Sequence, residues 1–326
     1  MKLLRRVLAS TLLFAVIAGG AWAITHRDQI YDWARLRGYQ PPAAITQLAS
    51  DDTMTPYGRH LFYINRPDLT ADKSYFNQQC GGKEQTIVLG CYHSKQLGIY
   101  LYAVNDPQLT GVEQVTATHE MLHAAYDRLN ATERNSVDSM LESYYQHSLH
   151  DQQIIDEINL YRQTEPNDVV NEMHSVFGTE IADLPAPLEN YYKQYFTNRQ
   201  KIAQYAASYQ AAFTSREQQV SADDAQLAAM KKQIDTSQTE LQQKQQALAT
   251  QAAQLATEKS AGQIEAYNAG VAPYNNAVGA YNASITALRS LISRYNALVD
   301  QRNTIAIQEN QLAQAINSQA PAVQPQ

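Results

Sequence analysis

The sequence has no excess of basic charge, which limits the partners it can have. Its 326 residues include 25 Lys and Arg against 32 Asp and Glu, giving a formal net charge of −7. A protein that binds nucleic acid neutralises phosphates with clustered cations, and this chain has no basic stripe. Nucleic acid is therefore not expected as a partner.

Charged side chains are missing from residues 7–24, and Lys2, Arg5 and Arg6 precede this run. Such a run favours a signal-anchor or transmembrane segment at residues 1–24. The alternative is a signal peptide that is cleaved after residues 21–23, followed by secretion. Under the positive-inside rule, the main body of the chain lies outside the cytoplasm in both cases. The sequence thus predicts a single-pass protein of the cell membrane, held there by its N-terminal helix.

Cysteine is also scarce, since Cys80 and Cys91 are the only two. Their spacing is not CxxC, so the pair alone is a poor zinc site. In an exported protein an isolated pair usually forms a disulfide. We therefore predict a Cys80–Cys91 disulfide, which would stabilise the fold by about 2–3 kcal/mol.

The middle of the chain combines strand and helix patterns. Residues 25–54 read as a juxtamembrane linker with one short amphipathic helix at 31–36. Short β-rich runs then predict strands at 61–64, 86–92 and 98–104, and the last two are expected to form a hairpin. Helical spacing of apolar residues predicts helices over 111–128, 131–148, 151–163 and 167–181. These elements make residues 55–187 an α+β domain with a short sheet and mostly helices.

Glycine and proline are absent between residue 188 and Gly262, and heptad repeats begin in this part of the chain. Apolar residues are spaced by seven from Val220 to Leu255, and they alternate by four and three from Tyr267 to Val299. This is a coiled-coil seam, so residues 188–318 are predicted to form a long antiparallel helical hairpin that turns near 258–273. Residues 319–326 are expected to be a disordered tail. The coiled coil is expected either to bind an envelope protein, to mediate self-association or to act as a spacer.

One short motif contains side chains that can bind a metal and transfer a proton: His119-Glu120-Met121-Leu122-His123. Residues four apart lie on the same face of a helix, so His119 and His123 can bind one zinc ion. Glu120 lies beside them and can accept a proton from zinc-bound water. The motif therefore predicts a Zn²⁺ cofactor and Glu120 as general base.

The string Asn171-Glu172-Met173-His174-Ser175 adds a second signal. Together the two strings, HExxH and NExxS, resemble those of the gluzincin metallopeptidases, and the resemblance covers residues 86–181 at most. It implies a zincin-like domain with Glu172 as the third zinc ligand. Other candidates for this ligand are His174, Glu180 and Asp127, and Glu180 could instead orient a histidine from behind the ligands.

The resemblance implies two further features of a peptidase site. One is an edge strand beside which the substrate backbone adds, for which residues 98–104 are the candidate. The other is an oxyanion-stabilising side chain, with Tyr126, Tyr161 and His174 as candidates.

The sequence thus favours an extracytoplasmic zinc peptidase that hydrolyses peptides or proteins. The alternative is a non-catalytic, membrane-anchored coiled-coil protein with a structural or degenerate zinc site.

Overall fold

The computed structural model of the protein describes residues 17–81 and 88–318. Most of the predicted anchor, residues 86–87 of a predicted strand and the tail at 319–326 lie outside these ranges. Within them, no helix combines the length and apolar character that crossing a membrane requires. This finding corrects the predicted single-pass membrane location.

The chain forms two compact units. Unit 1 comprises Met1–Ala211 and Gln314–Gln326, and unit 2 comprises Ala212–Ala313. Residues 17–25 are helical, and they are followed in unit 1 by α1 Arg27–Leu36, α2 Ala43–Asp51, α3 Pro56–Ile64, α4 Lys73–Cys80, α5 Val112–Asp127, α6 Ala131–His147, α7 Gln152–Thr164, α8 Val169–Glu180 and α9 Ala186–Tyr192. Two long helices follow, α10 Gln200–Ser260 and α11 Ile264–Ile316, so the fold is α+β and mostly helical, as predicted.

A three-stranded sheet lies in unit 1, with strands β1 Asp68–Thr70, β2 Gly90–His93 and β3 Gly98–Tyr102. The order is β1-β3-β2, with β3 parallel to β1 and antiparallel to β2. The predicted hairpin of β2 and β3 is confirmed. The prediction that residues 98–104 form the edge strand is wrong, because β3 pairs with β1 on one side and with β2 on the other; among the described residues, β2 is an edge strand.

Residues 61–64, predicted as a strand, instead end the helix α3. The Thr55 side chain accepts a hydrogen bond from the Gly58 amide at 3.0 Å, and Pro56 occupies the first helical position. Both features start helices, because the first amides of a helix have no partner within it. The apolar run at 61–64 is therefore the buried face of a capped helix.

Helix α5 runs through the middle of the core of unit 1, and most of its side chains are buried. It packs against α8 and against the sheet. Residues 25–54, predicted as a linker, also contribute, since α2 buries Ile45, Leu48 and Ala49 in the same core. On α1 the Tyr31 hydroxyl donates to the Gln96 carbonyl at 2.9 Å, so Tyr31 packs on the domain.

Unit 2 is the antiparallel part of α10 and α11, which confirms the predicted helical hairpin. Met230 and Ile234 of α10 are buried together with Leu291 of α11. Nearer the turn, Lys244 donates to the Ser284 hydroxyl at 2.7 Å, and farther from it Arg302 pairs with both oxygens of Asp224. These pairs lie almost symmetrically about the turn at 261–263, where Gly262 has a φ of +72°. Glycine adopts this left-handed conformation without steric cost.

Candidate metal centre

Helix α5 presents the two histidines of the motif on one face. Their ring centroids are 4.6 Å apart, and both side chains are largely buried. The helix begins directly after Gly111, which has a φ of +103° and where an added Cβ atom would lie 2.8 Å from the Tyr205 Cβ. The predicted placement of both imidazoles on one face of the helix, four residues apart, is therefore confirmed.

Glu172 on α8 faces both histidines. Its Oε2 lies 3.5 Å from His119 Nε2, and its Oε1 lies 3.5 Å from His123 Nε2. Two ligand atoms bound tetrahedrally to one zinc ion at about 2.1 Å lie about 3.4 Å from each other. The three side chains offer ligand atoms within 4.8 Å of one another, so their donor set and spacing fit a zinc ion.

The charges of the three side chains shift the pKa values of His119 and Glu172. Burial lowers the pKa of His119, but the hydrogen bond and charge of Glu172 outweigh it and raise this pKa to about 9. Burial raises the pKa of Glu172, yet the nearby histidines and a hydrogen bond from Tyr161 lower it overall. Glu172 is therefore held as a carboxylate, the form that binds a metal.

A cavity of about 410 Å³ opens over this cluster. It is bounded on one side by β2 and the residues just before it, and on the other by α7 and α8. Its lining includes one arginine, Arg134, and seven carboxylates: Glu120, Asp127, Glu157, Glu165, Asp168, Glu172 and Glu180. Glu120 is 6 % exposed and lines the cavity beside the histidines.

The alternative ligands are engaged elsewhere. His174 is fully buried, contacts the Tyr191 hydroxyl at 2.9 Å, and has its pKa lowered by burial to about 3. Asp127 accepts hydrogen bonds from the Tyr92 hydroxyl and the Lys95 amide, both at 2.7 Å, and so fastens the β2–β3 hairpin to α5. Glu180 accepts a hydrogen bond from Gln210 at 2.6 Å. Its charge raises the pKa of His119, but Glu180 is not one of the three residues whose ligand atoms lie together.

Two of the three candidate side chains for stabilising an oxyanion already have other partners or are buried. The Tyr126 hydroxyl donates to Asp138 at 2.8 Å, and His174 lies in the core. Tyr161 lines the cavity next to Glu172.

Sequence reasoning missed Glu157 on α7 and Tyr209 on α10, which both line the cavity. Burial and the charges of Glu180 and Glu172 raise the pKa of Glu157 to about 8, despite the opposing charge of His119. Neither residue belongs to a motif, so only the packing of α7 and α10 brings them to the cavity.

The disulfide between Cys80 and Cys91 is present, as predicted. It joins the end of α4 to β2, and Cys91 itself lines the cavity. The bridge therefore fixes one wall of the site.

The chain matches no protein-family model, no curated protein and no solved structure. The functional assignment therefore depends on the geometry of the cavity.

Proposed function

We propose that this protein is a zinc-dependent peptidase with a zincin-like, gluzincin-type site. The observation that carries the proposal is the position of Glu172, whose two oxygens face His119 and His123 at equal distances of 3.5 Å. Three protein ligands and one open position towards a cavity are what a catalytic zinc needs.

A zinc ion held by these three side chains would polarise the substrate carbonyl and lower the pKa of a bound water towards 7. Glu120 accepts the proton that the attacking water gives up as the new C–O bond forms. It then delivers this proton to the amide nitrogen as the C–N bond breaks, so the proton is conserved. The buried position of Glu120 on the cavity wall suits this task.

Two other parts of the cavity support the proposal. The charges of His123 and then of His119 lower the pKa of Glu172 most, and a hydrogen bond from Tyr161 adds to this and helps to orient the carboxylate. The edge strand β2 lines the cavity at Gly90, Cys91 and Tyr92, so an extended peptide can add beside it through main-chain hydrogen bonds. We therefore assign the substrate-binding edge to β2.

The test combines metal analysis with a digest of casein or a peptide library. We expect purified protein to contain one zinc per chain. Glu172→Ala should lose the zinc and the activity together. Glu120→Gln should keep the zinc but hydrolyse peptides on the order of 10²–10⁴-fold more slowly, because the general base is gone.

The matched control is Glu142→Gln, which changes an exposed glutamate on α6 away from the cavity. It should retain both zinc and activity. Unchanged hydrolysis by Glu120→Gln would show that the mechanism is wrong. Zinc-loaded wild type without any peptidase activity would favour the structural alternative instead.

A further inference from the structure

The chain returns to unit 1 after the long hairpin. Helix α11 ends at Ile316, and Asn317 and Ser318 follow. Ser318 is only 1 % exposed. We call Asn317 and Ser318 the C-terminal clasp.

Hydrogen bonds to the backbone before β2 and from α4 hold the clasp. The Ser318 hydroxyl donates to the Val88 carbonyl at 2.7 Å. From α4, Asn77 Nδ2 donates to the Ser318 carbonyl at 3.0 Å, and Lys73 Nζ donates to the Asn317 carbonyl at 2.7 Å. The clasp therefore bridges α4 and the backbone just before β2.

That backbone is part of the cavity wall, since Val88, Leu89 and Gly90 all line the cavity. The wall lies directly against Glu120. A Cβ atom added at Gly90 would lie 2.8 Å from Glu120 Oε1 and 2.6 Å from Thr116 Cγ2. Because packed protein interiors hardly yield to such contacts, a displacement of this wall changes the space open to the Glu120 carboxylate.

The wall is held at several points. The Leu89 carbonyl accepts a hydrogen bond from the Tyr102 amide of β3 at 2.8 Å, and two further contacts join the wall to α4. The disulfide of Cys80 and Cys91 holds it on one side of Gly90, and the Ser318 hydroxyl holds it at Val88 on the other side. The disulfide is covalent, whereas the hydrogen bond from Ser318 exists only while the C-terminal clasp is docked.

We propose that Ser318 is a positioning residue for the catalytic Glu120, acting through the wall formed by Val88, Leu89 and Gly90. Docking of the clasp fixes the position of the Glu120 carboxylate relative to the attacking water. The rate of peptide hydrolysis therefore depends on a segment that follows the hairpin in sequence. This inference rests on the proposed peptidase function for its effect on rate. The docking itself is testable without any activity.

The experiment compares Ser318→Ala, which removes the hydroxyl, with Ser318→Thr, which keeps it. Ser74→Ala is the matched control, since Ser74 is exposed on the same helix that the clasp contacts. Asn77→Ala provides a second way to loosen the clasp. Each variant is measured for zinc content, for kcat and KM on a peptide substrate, and for hydrogen exchange of the amides at 88–93.

We expect Ser318→Ala to bind zinc normally and to keep its KM within about twofold, because the ligands and the substrate edge are unchanged. Its kcat should fall by about 10- to 100-fold, because small misplacements of a catalytic group cost rates of this order. The amides at 88–93 should exchange faster, and Ser318→Thr should restore wild-type behaviour. Asn77→Ala should show the same pattern more weakly, and Ser74→Ala should behave as wild type.

Unchanged kcat and unchanged exchange in Ser318→Ala would overturn the proposal. Parallel losses of zinc and of global protection would also overturn it, because they would indicate a merely structural role. If zinc-loaded wild type cleaves no peptide, the proposed function fails, and with it the effect of the clasp on rate. Faster exchange confined to 88–93 would then still establish that the clasp positions the wall.

Discussion

At the scale of single residues, the site contains both predictable and unpredictable members. His119 and His123 could be predicted as a pair, because one helix fixes their spacing. Glu172 was suggested by a second short motif, but only the packing of α8 on α5 brings it to the histidines. Glu157 and Tyr209 could not be predicted, because no local pattern marks a side chain that reaches a cavity through tertiary packing.

Asp52 gives a prediction at the same scale. It is fully buried, and burial raises its pKa well above the usual range, although the neighbouring Thr118 hydroxyl opposes this. The folded state therefore keeps a proton that the unfolded chain gives up near pH 4. The stability that this proton contributes is fully present below that pH and is lost as pH rises towards the folded-state pKa.

We expect Asp52→Asn, which cannot ionise, to be more stable than wild type at pH 8, because the wild-type carboxyl must then either ionise in the core or hold a proton that the unfolded chain has lost. The two proteins should be nearly equal at pH 4. Urea unfolding at both pH values measures the difference, with Asp51→Asn, a partly exposed neighbour, as the control. Equal stability of Asp52→Asn and wild type at pH 8 would contradict the assignment.

At the scale of elements, the helices of unit 1 follow local signals more closely than the sheet does. The cap at Thr55 and Pro56 marks α3, but the apolar run at 61–64 suits a strand equally well by composition. The order of the sheet was not predictable, because β1 has only three residues, Asp68–Thr70, and no alternating pattern. Its pairing with β3 depends on contacts that are distant in sequence.

Arg199 caps the C-terminal end of α8 by donating hydrogen bonds to the carbonyls there. It is 3 % exposed and donates to the carbonyls of Ile181 and Ala182 at 2.5 and 2.8 Å. It also pairs with Glu189 at 2.6 Å. Helix ends leave carbonyls without partners, and a buried guanidinium satisfies several of them at once.

We expect Arg199→Met to lower the free energy of unfolding by about 2–4 kcal/mol, because it leaves these carbonyls and Glu189 without their donor. Arg162→Met, at an exposed position on α7, should change it by less than about 1 kcal/mol. Chemical denaturation of the three proteins tests this. A loss in Arg199→Met no larger than in the control would refute the capping role.

At the scale of the whole molecule, the heptads predicted the long helix pair and its turn. They could not predict that residues 314–318 belong to unit 1, because the helical pattern of α11 runs on without a break. The first twelve residues of α10 likewise belong to unit 1. Helical periodicity predicts which residues are helical, but it does not predict which unit they pack against.

The register of unit 2 leads to a prediction. Deleting 238–244 together with 282–288 removes one matched heptad from each helix and shortens the hairpin by about 10 Å. We expect the apolar seam to stay in phase and the melting temperature to remain within a few degrees. Circular dichroism during heating measures this.

Deleting only residues 282–283 serves as the comparison. It turns the following part of α11 by about 200° and moves its apolar residues away from α10. This variant should melt at a clearly lower temperature. Equal melting of the two deletion variants would show that the seam does not hold the hairpin together.

The division of unit 1 between two distant parts of the sequence also affects the timing of folding. On the ribosome, residues 314–318 emerge only after the roughly 100 residues of unit 2, which takes about 5–20 seconds at ordinary rates of synthesis. Throughout that interval the nascent chain holds the histidines and Glu172 but lacks the residue that bonds to Val88. The cavity wall is therefore completed only after the histidine motif and the whole hairpin have been made.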